Sequence, residues 1–291
     1  MKLRSMLFVP ADSEKKLQKS VASSADALIL DLEDSVAESR RPLARRMAAE
    51  HLAATCGQRS WKGFVRINPL STADALPDLA QVVGEGLDGI VLPKADGAAD
   101  VLRLSHYLDV LEVRAGLSPQ SIKVVVVATE TAAGMLNLHS YASKPPRLVG
   151  ITWGAEDLAA ALGSISNREE DGELSAAYVQ ARSGALYAAA AAEAQAVDTL
   201  YGDFRDAAGL ERDCLLSRRR GFLGRIAIHP DQVDVINRCY TPSEEDIGVA
   251  RAIVAAFAEA PGTGVVGLNG KMYDRPHLVQ AMKTLAQAGL S

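Results

Sequence analysis

Carboxylates recur in this chain at one kind of place, just after a short apolar run. Asp12 follows LFVPA, Asp31, Glu33 and Asp34 close DALIL, Glu130 follows four valines, and Glu156 and Asp157 follow GITW. Arg66 and Asn68 come after GFV, Lys94 after GIVLP and His229 after GRIAI. With no cysteine or histidine cluster beside them, such oxygen donors favour a hard cation. Mg²⁺ is commonly held by one or two protein carboxylates, with waters and substrate oxygens completing its octahedron. An arginine nearby offers a fixed fork of donors to a carboxylate or a developing enolate oxygen, and a metal stabilises the same charge as a Lewis acid. Together these groups predict making or breaking a C–C bond next to a carbonyl, through an enolate. Singly, each reads equally well as a loop charge or a helix cap, so the argument rests on their convergence.

Convergence requires a scaffold that brings the ends of many strands to one rim. Apolar runs predict strands at Leu3–Val9, Ala27–Leu32, Gly63–Ile67, Gly89–Leu92, Lys123–Ala128, Leu148–Thr152, Val197–Leu200 and Arg225–Ile228. Helical segments separate most of them, for example Ser13–Ser23, Glu38–Ala54, Ala98–Ala115, Leu174–Ala196 and Phe204–Arg219. Alternation of this kind means parallel pairing through right-handed crossovers, and strands buried on both faces read as unbroken apolar runs. Eight such units in about 230 residues suit a (β/α)8 TIM barrel over residues 1–238, whose active sites lie at the C-terminal ends of the strands. An open doubly wound sheet is the alternative. Gly262, Gly264 and Gly267 form a literal G-x-G-x-x-G, but LNGKMYD follows where a dinucleotide site needs a helix, so a glycine-rich loop leading to a turn or short hairpin is expected.

Bulk properties narrow the classes. A 291-residue chain that is 48% hydrophobic can bury a large core. Its net charge of −5, without a basic stripe, argues against nucleic acid as a partner. No apolar stretch nears the ~20 residues needed to span a bilayer. The N-terminal apolar patch is too short for a signal-peptide core, and a cytoplasmic location is expected. Cys56, Cys214 and Cys239 lack disulfide or metal-site spacing and read as structural.

The strings RSMLFVPA, DALILDLEDSV, FVRINP, GIVLPKAD, ATETAAGMLN, TWGAEDLAAALG, GFLGRIAIHPDQV and NGKMYDRP, in this order, resemble the citrate lyase beta-subunit-like family. That family belongs to a group of Mg²⁺-dependent acyl-CoA lyases and aldolases that includes malyl-CoA and citramalyl-CoA lyases. The resemblance spans essentially the whole chain. It implies a lyase that cleaves or forms a 3-hydroxy dicarboxylic acyl-CoA, giving an acyl-CoA and a 2-oxo acid. Glu130 and Asp157 then match the metal ligands for Mg²⁺, with Mn²⁺ as a substitute. Arg66 matches the arginine that holds a carbonyl or enolate oxygen, and the amides around Gly154 and Ala155 suit the substrate's terminal carboxylate. Asp31, Glu33 and Asp34 match an acidic cluster that binds metal waters and fixes Arg66. Lys15 and Lys19, spaced i,i+4, resemble positions touching coenzyme A phosphates, with Phe8 near the entrance.

Residues 239–291 form a C-terminal helical extension in this reading: a helix over Ser243–Ala258 with a Ser N-cap and acidic first turn, then a glycine-rich loop and a last helix from about Arg275. The resemblance implies that the extension covers the active site of a neighbouring subunit in a homo-oligomer, trimer or hexamer, and that Asp274 is the proton-transferring group there. It also favours a stand-alone coenzyme A enzyme. The alternatives are the citryl-CoA-cleaving beta subunit of a citrate lyase complex, a CoA-independent aldolase of free 2-oxo acids, and a non-catalytic binding protein. His229, before Pro230, is read first as a helix-start or packing residue, with the coenzyme A channel as the alternative. Trp61 and Trp153 are expected in strands as core or pocket wall, and Ala188–Ala196 as closely packed helix.

Overall fold

Eight parallel strands follow one another around a closed barrel in chain order, β1 pairing with both β2 and β8. They are β1 (Ser5–Pro10), β2 (Ala27–Asp31), β3 (Lys62–Arg66), β4 (Gly89–Leu92), β5 (Lys123–Val127), β6 (Leu148–Thr152), β7 (Gln195–Asp198) and β8 (Gly224–Ala227). The helices between and after them are α1 (Glu14–Ser20), α2 (Arg41–Thr55), α3 (Ala75–Val82), α4 (Ala98–Ala115), α5 (Ala132–Leu136), α6 (Glu156–Leu162), α7 (Ala176–Ala192), α8 (Ala207–Arg220) and α9 (Val233–Cys239). This computed structural model describes residues 1–290. It comprises two units, Leu3–Asn237 and one that begins at Arg238.

The barrel interior follows from the period-2 alternation of strand side chains. Met6, Ala27, Ile29, Phe64, Val91, Val125, Val127, Val197 and Ile226 form one apolar cluster, with Phe8 packed on it. Val124 and Val126 point the other way and are equally buried, which is why the valine run shows no polar alternation. Each such side chain contributes roughly 1.5–3 kcal/mol when removed from water. Gly89 is required by this packing, because a Cβ there would overlap the Phe64 ring. The same alternation carried one step toward the strand ends places Asp31 and Arg66 inward, opposite each other in the β2–β3 register.

Three sequence expectations need correction. The seventh strand runs over Gln195–Asp198 rather than Val197–Leu200; an apolar criterion skips Gln195, whose side chain bonds the Leu3 carbonyl, and runs on past Asp198, whose charge is paired inside, to Leu200. The Ala-rich run is not helical to Ala196: α7 stops at Ala192, Glu193 turns left-handed, and the chain re-enters the sheet. Trp61 and Trp153 lie just outside β3 and β6, though both are buried. No disulfide joins Cys56, Cys214 or Cys239.

In the second unit, α10 (Glu244–Glu259) starts on a capping box: the Ser243 hydroxyl accepts the Asp246 amide at 3.1 Å, and the Asp246 carboxylate accepts the Ser243 amide at 2.9 Å. A hairpin of β9 (Val265–Leu268) and β10 (Lys271–Asp274) turns through Asn269 and Gly270, both at positive φ as a tight hairpin turn requires. The glycine-rich stretch is therefore a loop entering a strand, with no helix opening after Gly267. Then α11 (Arg275–Gln287) follows. Ala250, Ile253, Phe257, Val266 and Ala281 form this unit's own core.

Candidate active site

The Asp31–Arg66 pair is the geometric seed of the site. Neighbouring parallel strands point register-matched residues to the same side, and here Arg66 Nε and Nη2 reach the two carboxylate oxygens of Asp31 at 2.7 and 2.8 Å. Against the cost of burial, Arg66 holds the Asp31 carboxyl below its ordinary value, and Asp31, Glu33 and Asp34 raise the guanidinium above its own. The remaining Arg66 nitrogen lies 3.0 Å from Glu33 and 3.3 Å from Asp34, while the guanidinium stacks 4.6 Å over the Phe8 ring. Arg66 is thus held on four sides, with its fork fixed at the rim.

Lys94 links this group to the second carboxylate pair. It occupies left-handed backbone at φ 49°, an uncommon conformation for a residue with a side chain. That turn aims its amide at Glu130 Oε2, 2.6 Å away. Its ammonium meets Glu33 at 2.5 Å, Asp157 at 3.2 Å and Asp34 at 3.5 Å. One lysine thus serves four carboxylates, one through its backbone. Sequence reasoning placed Lys94 on the rim without a role; a lysine between Pro93 and the next helix gave no signal of its backbone turn.

Glu130 stands past the end of β5, almost wholly buried. Burial raises its carboxyl, the charges of Asp157 and Glu33 add to that, and the group is pushed up to about 8 despite the Lys94 amide. Burial and the neighbouring Asp34 push Glu33 up to about 7, against Arg66 and Lys94. Gly154 packs directly on Glu130: a Cβ there would lie 2.7 Å from Glu130 Cγ and 3.0 Å from Oε1. The Gly154 amide donates to Thr129 Oγ1 at 3.2 Å. Asp157 follows in the first turn of α6.

This donor set fits a hard divalent ion. Among the described residues no three histidines, cysteines or carboxylates form a metal cage. A buried glutamate and a nearby aspartate in mutual repulsion, with a glycine leaving room beside one of them, instead match an ion that takes two protein carboxylates and otherwise water or substrate oxygens. The residues that would hold it are Glu130 and Asp157.

These groups line a cavity of about 2020 Å³, larger than the ~300–1,000 Å³ usual for a drug-sized ligand. Of the residues expected there, Phe8, Lys19, Asp31, Asp34, Arg66, Glu130, Gly154, Ala155, Asp157 and His229 form its wall. Glu33 sits behind it, reaching Arg66 and Lys94. Lys15 is an exposed residue outside the cavity; α1 presents Lys16 with Lys19 instead, a shift of one position around the helix. His229 caps the short helical turn at Pro230 and stacks on Phe204 at 4.5 Å. Asp274 belongs to the second unit, where it caps α11 and meets His277 Nδ1 at 2.5 Å. Sequence reasoning missed the ion cluster of Arg182, Asp198, Asp213 and Arg225 in the same wall; charged residues within the apolar strings AVDTL and GRIAI were its available signal.

With this geometry established, the family profile described as HpcH/HpaI aldolase/citrate lyase matches residues 4–230. The chain belongs to this family. A citrate lyase subunit beta of Haemophilus influenzae is 36% identical over 292 residues, covering 99% of this chain and 98% of that one. A (3S)-malyl-CoA thioesterase of Cereibacter sphaeroides is 38% identical over 98% of this chain and 94% of its own. Among solved structures, CitE of Mycobacterium tuberculosis in complex with magnesium, acetoacetate and coenzyme A superposes with a TM-score of 0.77 at 35% identity, covering 99% of this chain and 98% of that chain. No helix among the described residues of this family member is long and apolar enough to cross a membrane.

Proposed function

We propose that this protein is a Mg²⁺-dependent carbon–carbon lyase that cleaves, or in reverse forms, a 3-hydroxy dicarboxylic acyl-CoA of the malyl-CoA or citramalyl-CoA type. The observation that carries this is the convergence of Glu130 and Asp157 with the fixed fork of Arg66 on one barrel rim. The relatives' names and the magnesium, acetoacetate and coenzyme A held by CitE agree with it.

A Mg²⁺ ion held by Glu130 and Asp157, or Mn²⁺ in its place, would supply Lewis-acid stabilisation to the oxygens of a 2-oxo acid. Arg66, oriented by Asp31, donates to the oxygen that gains charge as the C–C bond breaks. In the cleavage direction the hydroxyl proton passes to solvent water, the hydroxyl carbon becomes the carbonyl of the 2-oxo acid, and the bonding pair passes to the α-carbon of the thioester as an enolate. A proton returned to that carbon gives the acyl-CoA. Asp274 of a neighbouring copy is assigned that proton, with residues 239–291 as the segment covering the neighbour's site in a homo-oligomer, a trimer or hexamer. The amides around Gly154 and Ala155 are assigned the terminal carboxylate. Lys19, with Lys16 replacing Lys15, is assigned the coenzyme A phosphates, and Phe8 and His229 the channel beside them. A cytoplasmic location accords with an acyl-CoA substrate.

The citryl-CoA-cleaving beta subunit of a citrate lyase complex is the second reading, supported by the full-length similarity to citrate lyase beta subunits. A panel of acyl-CoA thioesters, their free acids and carrier-bound citryl thioester, each with and without Mg²⁺, tests both. Release of a 2-oxo acid from malyl-CoA or citramalyl-CoA is expected. Turnover of carrier-bound citryl thioester alone would transfer the assignment to the complex subunit, and turnover of free acids with no gain from the thioester would favour a CoA-independent aldolase.

A further inference from the structure

We infer that Asp198 is a positioning residue for the catalytic rim, acting through Trp153 on the loop that carries Gly154 and leads to Asp157. The inference rests on the lyase reading above. Residues 153–155 join β6 to α6. On one side this loop is pinned to the segment that follows β5, by the Gly154 amide on Thr129 and by the close packing of Gly154 on Glu130. On the other side the Trp153 indole N–H donates to Asp198 Oδ1 at 2.6 Å, between a side chain 2% exposed and one fully buried.

Asp198 is itself immobilised. Its Oδ1 also accepts the Thr199 amide at 3.0 Å, and its Oδ2 accepts Arg225 Nη2 at 2.9 Å and Arg182 Nη2. Arg225 pairs further with Asp213, and Arg182 lies 3.8 Å from the same carboxylate. Two cations and two carboxylates, drawn from α7, β7, α8 and β8, thus balance in charge, with both arginines on Asp198 Oδ2 and Oδ1 left to face Trp153 and the Thr199 amide. An apolar wall of equal volume closes a barrel at least as stably as buried ion pairs do. What the cluster adds is a rigid acceptor for a single indole N–H. Trp153, which that acceptor holds, lies one residue from Gly154 and four from Asp157, so Asp198 acts on the rim by holding the loop.

Two variants test this. Asp198→Asn keeps the size of the side chain and removes its charge. Because that variant can fail to fold, Trp153→Phe serves beside it, deleting the N–H donor and leaving the ion cluster intact. The readouts are Mn²⁺ affinity of the metal-free protein by electron paramagnetic resonance, kcat and KM for the acyl-CoA substrate, and acrylamide quenching of tryptophan emission for Asp198→Asn. Both variants are expected to weaken Mn²⁺ binding and lower kcat by roughly 10-fold, the low end for outer residues that orient metal ligands, with KM for the acyl-CoA within about 2-fold. The double variant is expected to be no worse than Asp198→Asn, because the amide keeps its single oxygen on Arg182 and Arg225 and so turns its NH2 to the indole N–H, and both changes thus break one contact. Folded variants with wild-type affinity and kcat, or losses that multiply in the double variant, would overturn the inference. Wild-type protein with neither Mn²⁺ binding nor turnover sinks the lyase reading, whereas an indole as well protected in Asp198→Asn as in wild type sinks the positioning role by itself.

Discussion

Glu130→Gln separates the electrostatic cost of the proposed metal site from its chemistry. Burial, with like charge from Asp157 and Glu33, moves the Glu130 carboxyl from 4.5 to about 8. Between those values the folded, metal-free chain keeps a proton that the unfolded chain has lost. The stability contributed by this group is therefore complete below the unfolded value and drains away as pH rises through the folded one. At 1.36 kcal/mol per pH unit, the loss between pH 5 and pH 9 is about 4 kcal/mol, or roughly 10 °C in Tm for a unit of this size. Glutamine cannot ionise, yet its carbonyl oxygen can still accept the Lys94 amide, so the variant keeps the shape and loses the drain. The assay is urea unfolding in chelator across that pH range. Wild type is expected to lose about 4 kcal/mol more than Glu130→Gln. At pH 9 Mg²⁺ at 100 times its Kd is expected to restore about 2.7 kcal/mol to wild type and nothing to the variant. Parallel pH curves for the two proteins would refute the reasoning that Glu130 is a buried carboxylate held in repulsion.

Three further substitutions probe the rim. In Gly154→Ala the new Cβ, 2.7 Å from Glu130 Cγ, must displace the carboxylate; Mn²⁺ affinity is expected to fall about 10-fold, with an unfolding cost of roughly 1–3 kcal/mol, and wild-type affinity would contradict the cradle. Arg66→Lys exchanges the two-pronged grip on Asp31 for a point charge, so kcat is expected to drop about 10²–10³-fold while Mn²⁺ binding stays within a few-fold; an unchanged kcat would remove Arg66 from charge stabilisation. Asp274→Ala is expected to slow exchange of the acyl-CoA α-protons with deuterated solvent and leave Mn²⁺ affinity intact, and normal exchange would assign the proton elsewhere.

Much of the rim was legible because barrel strands buried on both faces are plain apolar runs, and the polar residue ending each run stands at the open face. The four valines before Glu130 and the DALIL before Asp31 announce the strands and the polar residues that end them, whereas the link between Asp31 and Arg66 came from the family resemblance, since parallel order alone does not fix register. What escaped was charge inside the fold. Gln195 opens β7 but is polar, so an apolar criterion displaced that strand by two residues; Asp198 and Arg225 fell inside the expected strands without a partner assigned, and the cluster behind Trp153 was overlooked. Lys94 escaped because its contribution is a left-handed turn that aims a backbone amide, which composition cannot show. Lys15 and Lys16 differ by one position around α1, finer than an i,i+4 argument resolves for so short a helix.

The central claim, that Glu130 and Asp157 hold the ion on which C–C cleavage depends, is tested most directly by following 2-oxo acid release from malyl-CoA and citramalyl-CoA in wild type, Glu130→Gln and Asp157→Asn, in chelator and then with Mg²⁺ restored. Release by wild type that stops in chelator, returns with Mg²⁺ and stays absent in both variants is the predicted result. Release that persists in chelator, or in either variant at the wild-type rate, would contradict it.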